Sequence, residues 1–254
     1  MRHMQRSFEE LLDDAAAAPV DGWGFEWLNG RATEQRPSWG YQRLMSARLA
    51  TATAALDLET GGGEVLAEAD TFPPTMAATE SWPPNAAAAT ARLHPRGAVV
   101  VATVDDASLP FADAAFDLVT SRHPAVVRWD EIARVLRSGG TYFAQHVGPA
   151  SVFELIEYFL GPQPEAQRRR HHDDEAAAAR DAGLRITDLR HERLRMEFFD
   201  IGAVVYLLRK VIWLVPGFTV ERYHDRLREL DDRIRREGPF VAHSSRTLFD
   251  AVKP

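Results

Sequence analysis

Between residues 51 and 150 short apolar runs alternate with stretches of helical periodicity. "AALDLE" (54–59), "TMAATE" (75–80), "AVVVATV" (98–104), "FDLVTS" (116–121) and "TYFAQHV" (141–147) read as strands, and "GEVLAEA", "NAAAATARL" and "WDEIARVL" read as the helices between them. Strands that alternate with helices predict right-handed crossovers and a parallel sheet, and the near-continuous apolar character of the strands fits burial on both faces. Before this block the pattern predicts a helix over 7–18, a compact aromatic loop over 19–41 and a helix over 42–50. After it come an amphipathic helix in "SVFELIEYFL", a polar-then-helical stretch, one or two strands in "RITDLRHERLRMEFF", an apolar helix over 200–214 and a charged helix in "VERYHDRLRELDDRIRREG". "SSRTLFDAVKP" closes the chain as a strand. The expected organisation is an N-terminal helical and aromatic cap (1–50), a Rossmann-like core (51–150) and a C-terminal half (151–254) with a lid-like helical insertion near 198–238.

Composition narrows the chemistry. The 254 residues carry a net charge of −7, which disfavours a partner built of phosphate backbones. The absence of cysteine excludes disulfides, thiolate nucleophiles and cysteine-bound metal. The longest apolar stretch, "IGAVVYLLRKVIWLVPGF", is interrupted by Arg209 and Lys210, and the N-terminus has no apolar core of a secretion signal. A soluble, cytoplasmic protein is expected. In "RRRHHDDE" (168–175) the consecutive histidines and acids should diverge on a helix, so no metal site is expected there.

The segment "ALDLETGGGEVL" is the most informative. Backbone N–H groups at a helix start attract negative groups, and glycine allows close approach, so a strand followed by this turn predicts a nucleotide-binding position. Glu80 ends the next strand, 23 residues after Asp57, where an acid accepts hydrogen bonds from ribose hydroxyls. Further on, "DDASLPFADAAFDLV" (105–119) and "EIARVLRSGGTYFAQHV" complete an ordered set of four motifs. Together these resemble the class I S-adenosylmethionine-dependent methyltransferases, specifically the small-molecule "type 11" branch, over roughly residues 50–150. Ser138 stands where that family usually has proline.

The resemblance implies a Rossmann-like, doubly wound, seven-stranded α/β sheet whose last strand is antiparallel, and S-adenosyl-L-methionine as cofactor. It implies that Asp57, Gly61 and Gly63 shape the methionine pocket, that Glu80 binds the ribose, and that Asp105 or Asp106, with Ala107, borders the adenine. Glu59 replaces the first glycine of the family's acid-x-Gly-x-Gly-x-Gly turn, and at a positive-φ position it would be strained. Ser121, Arg122 and His123, at the end of the fourth parallel strand, are expected to face cofactor and substrate. His123 and His146 lie at strand ends and suit a general base, and Gln145 suits a substrate-orienting group. Trp23, Trp39 and Tyr41 are candidates for an aromatic lid; the apolar helix at 200–214 is a second lid candidate or a homodimer surface. Methyl transfer to an oxygen, nitrogen or carbon of a small organic molecule is the expected function. Its rivals are an rRNA or tRNA methyltransferase, using Arg168–Arg170 as a local patch, and a methyltransferase-fold protein that binds the cofactor without methylating.

Overall fold

The computed structural model describes residues 6–20, 22–104 and 108–254; Asp105, Asp106 and Ala107 lie outside the described residues. In chain order the elements are α1 (Phe8–Ala17), β1 (Ala32–Glu34), α2 (Tyr41–Leu49), β2 (Ala54–Leu58), α3 (Glu64–Ala67), β3 (Thr75–Glu80), α4 (Pro83–Leu93), β4 (Val99–Ala102), β5 (Phe116–Arg122) and α5 (Trp129–Val135). They continue with β6 (Leu136–Val147), α6 (Phe153–Leu160), α7 (Pro164–Gln167), α8 (His172–Asp181), β7 (Arg185–Phe198), α9 (Ile201–Lys210), α10 (His224–Glu237) and β8 (Phe240–Val252). One sheet of eight strands runs in the order β1-β7-β8-β6-β5-β2-β3-β4. Strands β2 to β6 pair in parallel, whereas β8 joins β6 and β1 joins β7 antiparallel.

The chain forms two compact units. One comprises residues 36–149, 170–192 and 245–254 and holds all the parallel strands. Leu56, Val119, Tyr142 and Phe249 are buried on one side of its sheet with Ile132 and Ala179; Phe143, Leu118 and Leu248 are buried on the other with Met45, Leu49 and Leu93. Helices therefore cover both sheet faces, which is why these strands read as unbroken apolar runs. The close approach of the glycine turn to α4 sets one glycine: at Gly63, with φ +77°, a Cβ would lie 2.9 Å from Leu93 Cδ1 and 3.3 Å from the backbone of Ala89.

The other unit comprises residues up to 35, 150–169 and 193–244. A capping box between Ser7 and Glu10 starts α1, Asp200 caps α9 through the Ala203 N–H (2.9 Å), and α1 packs on α9. Helix α10 is mostly charged but buries Leu227, Leu230 and Ile234 in an apolar seam. Each such aliphatic contributes about 1.5–3 kcal/mol, against about 0–1 kcal/mol for a surface ion pair, so the seam fixes this helix.

Several elements differ from the sequence expectation. The sheet has an eighth strand, β1, inside the aromatic loop, and residues 41–49, assigned to the cap, belong to the sheet-bearing unit. Strand β6 begins at Leu136, before Ser138–Gly140; a register shift against β5 and the positive φ of Gly139 let the chain pass directly from helix to strand. Helix α3 is a single turn. Among the described residues, no helix is long and apolar enough to cross a membrane.

Candidate active site

The strand order reverses around β2, between β5 and β3, and in an open α/β sheet such a switch point opens a crevice at the carboxyl ends. A small recess lies there. Its wall takes Leu58 and Glu59 from the end of β2, Thr79 and Ser81 from β3, Thr103 and Val104 after β4, and Ser121 from β5. Leu109, Ile132 and Val127 supply apolar surface, and Arg128 a second charged side chain.

The glycine turn is tied to β3: the Thr60 N–H donates to the Thr79 carbonyl (2.9 Å), the Glu59 N–H donates to Thr79 Oγ1 (3.2 Å), and Arg92 binds the Gly62 carbonyl. Asp57 is buried beneath the turn and accepts from Thr120 Oγ1 (2.6 Å); burial raises its pKa to about 6. Gly61 and Gly63 both have positive φ, and so does Glu59, at +53°. The departure from the glycine motif thus falls on a left-handed residue, at a cost of about 1–2 kcal/mol. Its carboxylate accepts from the backbone N–H of Ala125 and, at 3.2 Å, of Val126, so Glu59 ties the end of β2 to the loop after β5. Hydrogen bonds to a charged acceptor contribute about 1.5–3 kcal/mol each, enough to offset the strained backbone.

Glu80 is buried, and its Oε1 accepts from the N–H groups of Ser81 (3.0 Å) and Trp82 (2.9 Å), capping the start of α4. Its Oε2 accepts no hydrogen bond from the described residues; its sequence neighbours Thr79 and Ser81, rather than Glu80 itself, line the recess. Ser121 directs its hydroxyl to the Leu58 carbonyl (2.9 Å) and its own carbonyl accepts from Tyr41 (3.0 Å). Arg122, at the end of β5, is exposed.

The two histidines have different surroundings. His123 has φ +60° and is half-buried. Trp39 Nε1–H donates to Gln145 Oε1 (2.8 Å), and an indole nitrogen can only donate, so the Gln145 amide nitrogen faces His123 Nε2 at 2.9 Å. His123 Nε2 is therefore an acceptor and the ring proton sits on Nδ1. Burial, followed by the nearby cations Arg122 and Arg246, pushes the His123 pKa well below its usual value. Its basic lone pair is already engaged, which removes the simplest general-base role. His146 is fully enclosed: Nδ1 donates to Glu175 (2.7 Å), Nε2 accepts from Tyr142 (2.9 Å), and the ring lies 4.5 Å from that of Phe249. A substrate cannot reach this imidazole, so its assignment as a base is corrected to a core group. Glu175 also meets Arg170 (3.4 Å), which donates to the Pro124 carbonyl (2.7 Å), so this chain also holds the loop after β5.

The aromatic lid candidates divide similarly. Trp39 and Tyr41 are buried at the strand ends, with Tyr41 stacked on Phe143 at 5.2 Å, so they pack and orient rather than cover. Trp23 is exposed and pairs with exposed Trp213 at 5.7 Å within the other unit. Sequence reasoning missed Glu175 and Arg170, which looked like part of a solvated run; no local signal connects Glu175 to His146, 29 residues upstream. It also misjudged His171, His172 and Asp173, whose ligand atoms lie within 4.8 Å of one another because His171 is an extended N-cap rather than a helical residue. The rings of His171 and His172 are stacked, 4.4 Å apart and 25° from parallel, so their in-plane lone pairs run side by side instead of meeting at one ion.

Residues 56–144 match the family model described as "Methyltransferase domain". A putative methyltransferase from Bacillus halodurans superposes with a TM-score of 0.60 at 18% identity, over 84% of this chain and 98% of that one. The [4+2]-cyclase SpnF is similar with a TM-score of 0.53 at 18% identity, over 96% and 91%. A SAM-dependent methyltransferase from Geobacter sulfurreducens, solved with S-adenosyl-L-homocysteine, gives 0.51 at 15% identity, over 85% and 92%. No curated protein is significantly similar in sequence.

Proposed function

We propose that the protein transfers a methyl group from S-adenosylmethionine to a small organic acceptor and that the recess at the strand ends holds the cofactor; the match of residues 56–144 to the methyltransferase-domain family model supports this reading. The observation that carries the reading is the order of groups along the sheet. Apolar Val104 follows β4, the polar pair Thr79 and Ser81 flanks Glu80 at the end of β3, and charged Glu59 follows β2. Neighbouring strands are about 4.8 Å apart, so these groups span roughly 10 Å. A flat base, a ribose diol and a sulfur-bearing chain have the same sequence and similar reach. Val104 and Leu109 suit the base, Glu80, between the lining residues Thr79 and Ser81, would reach the diol, and Glu59 with Ser121 borders the sulfur-bearing end.

When bound, the cofactor supplies an electrophilic methyl on a sulfonium. The protein's own contribution is orientation: the loop after β5 is fixed by Glu59 and Arg170, and the Trp39–Gln145 pair fixes the His123 ring with its proton on Nδ1. Holding the acceptor against the methyl in a near-attack arrangement is worth far more than a single proton transfer, so a hydrogen-bond donor here is sufficient for a nucleophile that is already deprotonated or carbon-centred. The net charge of −7 favours a small acceptor over a nucleic acid.

The test is methyl transfer from isotopically labelled S-adenosylmethionine to a panel of small hydroxylated, amino and carbon-acid acceptors, beside tRNA and rRNA. Label in a small product supports the reading; label only in RNA replaces it. Tight cofactor binding without transfer to any acceptor favours the non-methylating alternative.

A further inference from the structure

The residue that breaks the glycine motif has a built environment. Glu59 takes the left-handed conformation that its turn demands, and two backbone N–H groups of the loop after the neighbouring strand β5 fix its carboxylate at the edge of the recess. The carboxylate is pre-oriented, so it interacts with a bound charge without reorganising. Only two of the residues around the recess, Glu59 and Arg128, are charged among the described ones. The apolar residue Val104 follows β4, two strands from Glu59, so a ligand that places its flat base there brings its sulfur toward the carboxylate.

Resting on the cofactor assignment above, we propose that Glu59 is a specificity-determining residue: its fixed carboxylate favours the cationic sulfonium of S-adenosylmethionine over the neutral thioether of S-adenosylhomocysteine. In the transfer step the acceptor–methyl bond forms, the sulfur–methyl bond breaks, and its electron pair returns to sulfur. The positive charge leaves sulfur in that step, and the attraction to Glu59 leaves with it. Glu59 thereby holds the substrate form and releases the product form. For unit charges several ångströms apart, screened as in a half-exposed site, the attraction would correspond to a preference of roughly three- to thirtyfold.

Isothermal titration of the full chain measures Kd for both ligands in the wild type, Glu59→Gln and Glu59→Gly. The two ligands share the base, ribose and amino-acid end, so any contribution of Arg128 to those parts cancels from the ratio of the two constants. The wild type should favour S-adenosylmethionine, and both variants should lose that preference by roughly three- to thirtyfold. Added salt should compress the ratio in the wild type alone. Glu59→Gly relieves the left-handed strain, so a folded neutral variant remains even where Glu59→Gln loosens the loop; circular dichroism checks both. Equal weakening of the two ligands, equal tightening, or an unchanged ratio overturns the assignment of Glu59 while leaving the cofactor reading intact. A wild-type chain that binds neither ligand overturns the cofactor reading, and this inference with it.

Discussion

Asp57→Asn should make the protein more stable at neutral pH, and the size of the effect should depend on pH. The carboxylate of Asp57 lies under the glycine turn with 6% of its surface exposed, and desolvation raises its pKa from 3.8 to about 6. The folded state therefore binds the Asp57 proton more tightly than the unfolded chain does. The resulting stabilisation is fully present below about pH 4 and is lost as pH rises through 6. Two pKa units correspond to about 3 kcal/mol. Asparagine resembles the protonated acid, keeps an oxygen for Thr120 Oγ1 to donate to, and does not ionise. Its extra amide hydrogens add a constant cost, so the informative quantity is how the stability difference changes with pH. Urea unfolding of both proteins between pH 4.5 and 7.5 gives that difference. It should move in favour of Asp57→Asn as pH rises, by about 2 kcal/mol across the range, and level off above pH 7. A pH-independent difference would refute the claim that Asp57 is an unfavourably buried acid. A change of opposite sign would mean that its ionised form is stabilised by groups that outweigh desolvation.

Three further outcomes test the surrounding site. Glu80→Gln keeps an oxygen for the N–H groups of Ser81 and Trp82, so it should retain stability and lose cofactor affinity by about tenfold; Glu80→Ala should also lose about 1 kcal/mol of stability, which thermal unfolding beside titration separates. Gln145→Glu puts a carboxylate against His123 Nε2, so the ring should gain a proton near neutrality, whereas NMR of the wild type should show His123 neutral at pH 6 because its pKa is depressed. Glu175→Leu leaves His146 Nδ1–H without an acceptor inside the core and should cost about 1–3 kcal/mol, measured by denaturant unfolding.

Alternation of strands and helices over 51–150, the glycine turn, and the acids Asp57 and Glu80 are local features, and they were legible in the amino-acid order. Apolar periodicity records which faces are buried, and glycine records where the backbone needs left-handed φ, so each appears in the sequence within a few residues of the element it forms. The boundary at Leu136 and the edge strand at Ala32–Glu34 were not legible, because pairing with distant strands decided them. The same holds for function at the level of single groups. His123 and His146 look alike in sequence, both at strand ends. Tertiary structure encloses one between Tyr142 and Glu175, and turns the other's lone pair toward Gln145. Glu59 read as a missing glycine, and only the approach of residues 125 and 126 gives its carboxylate a fixed place. Backbone preference acts over a few residues, whereas desolvation and hydrogen bonding depend on every group the fold brings within a few ångströms.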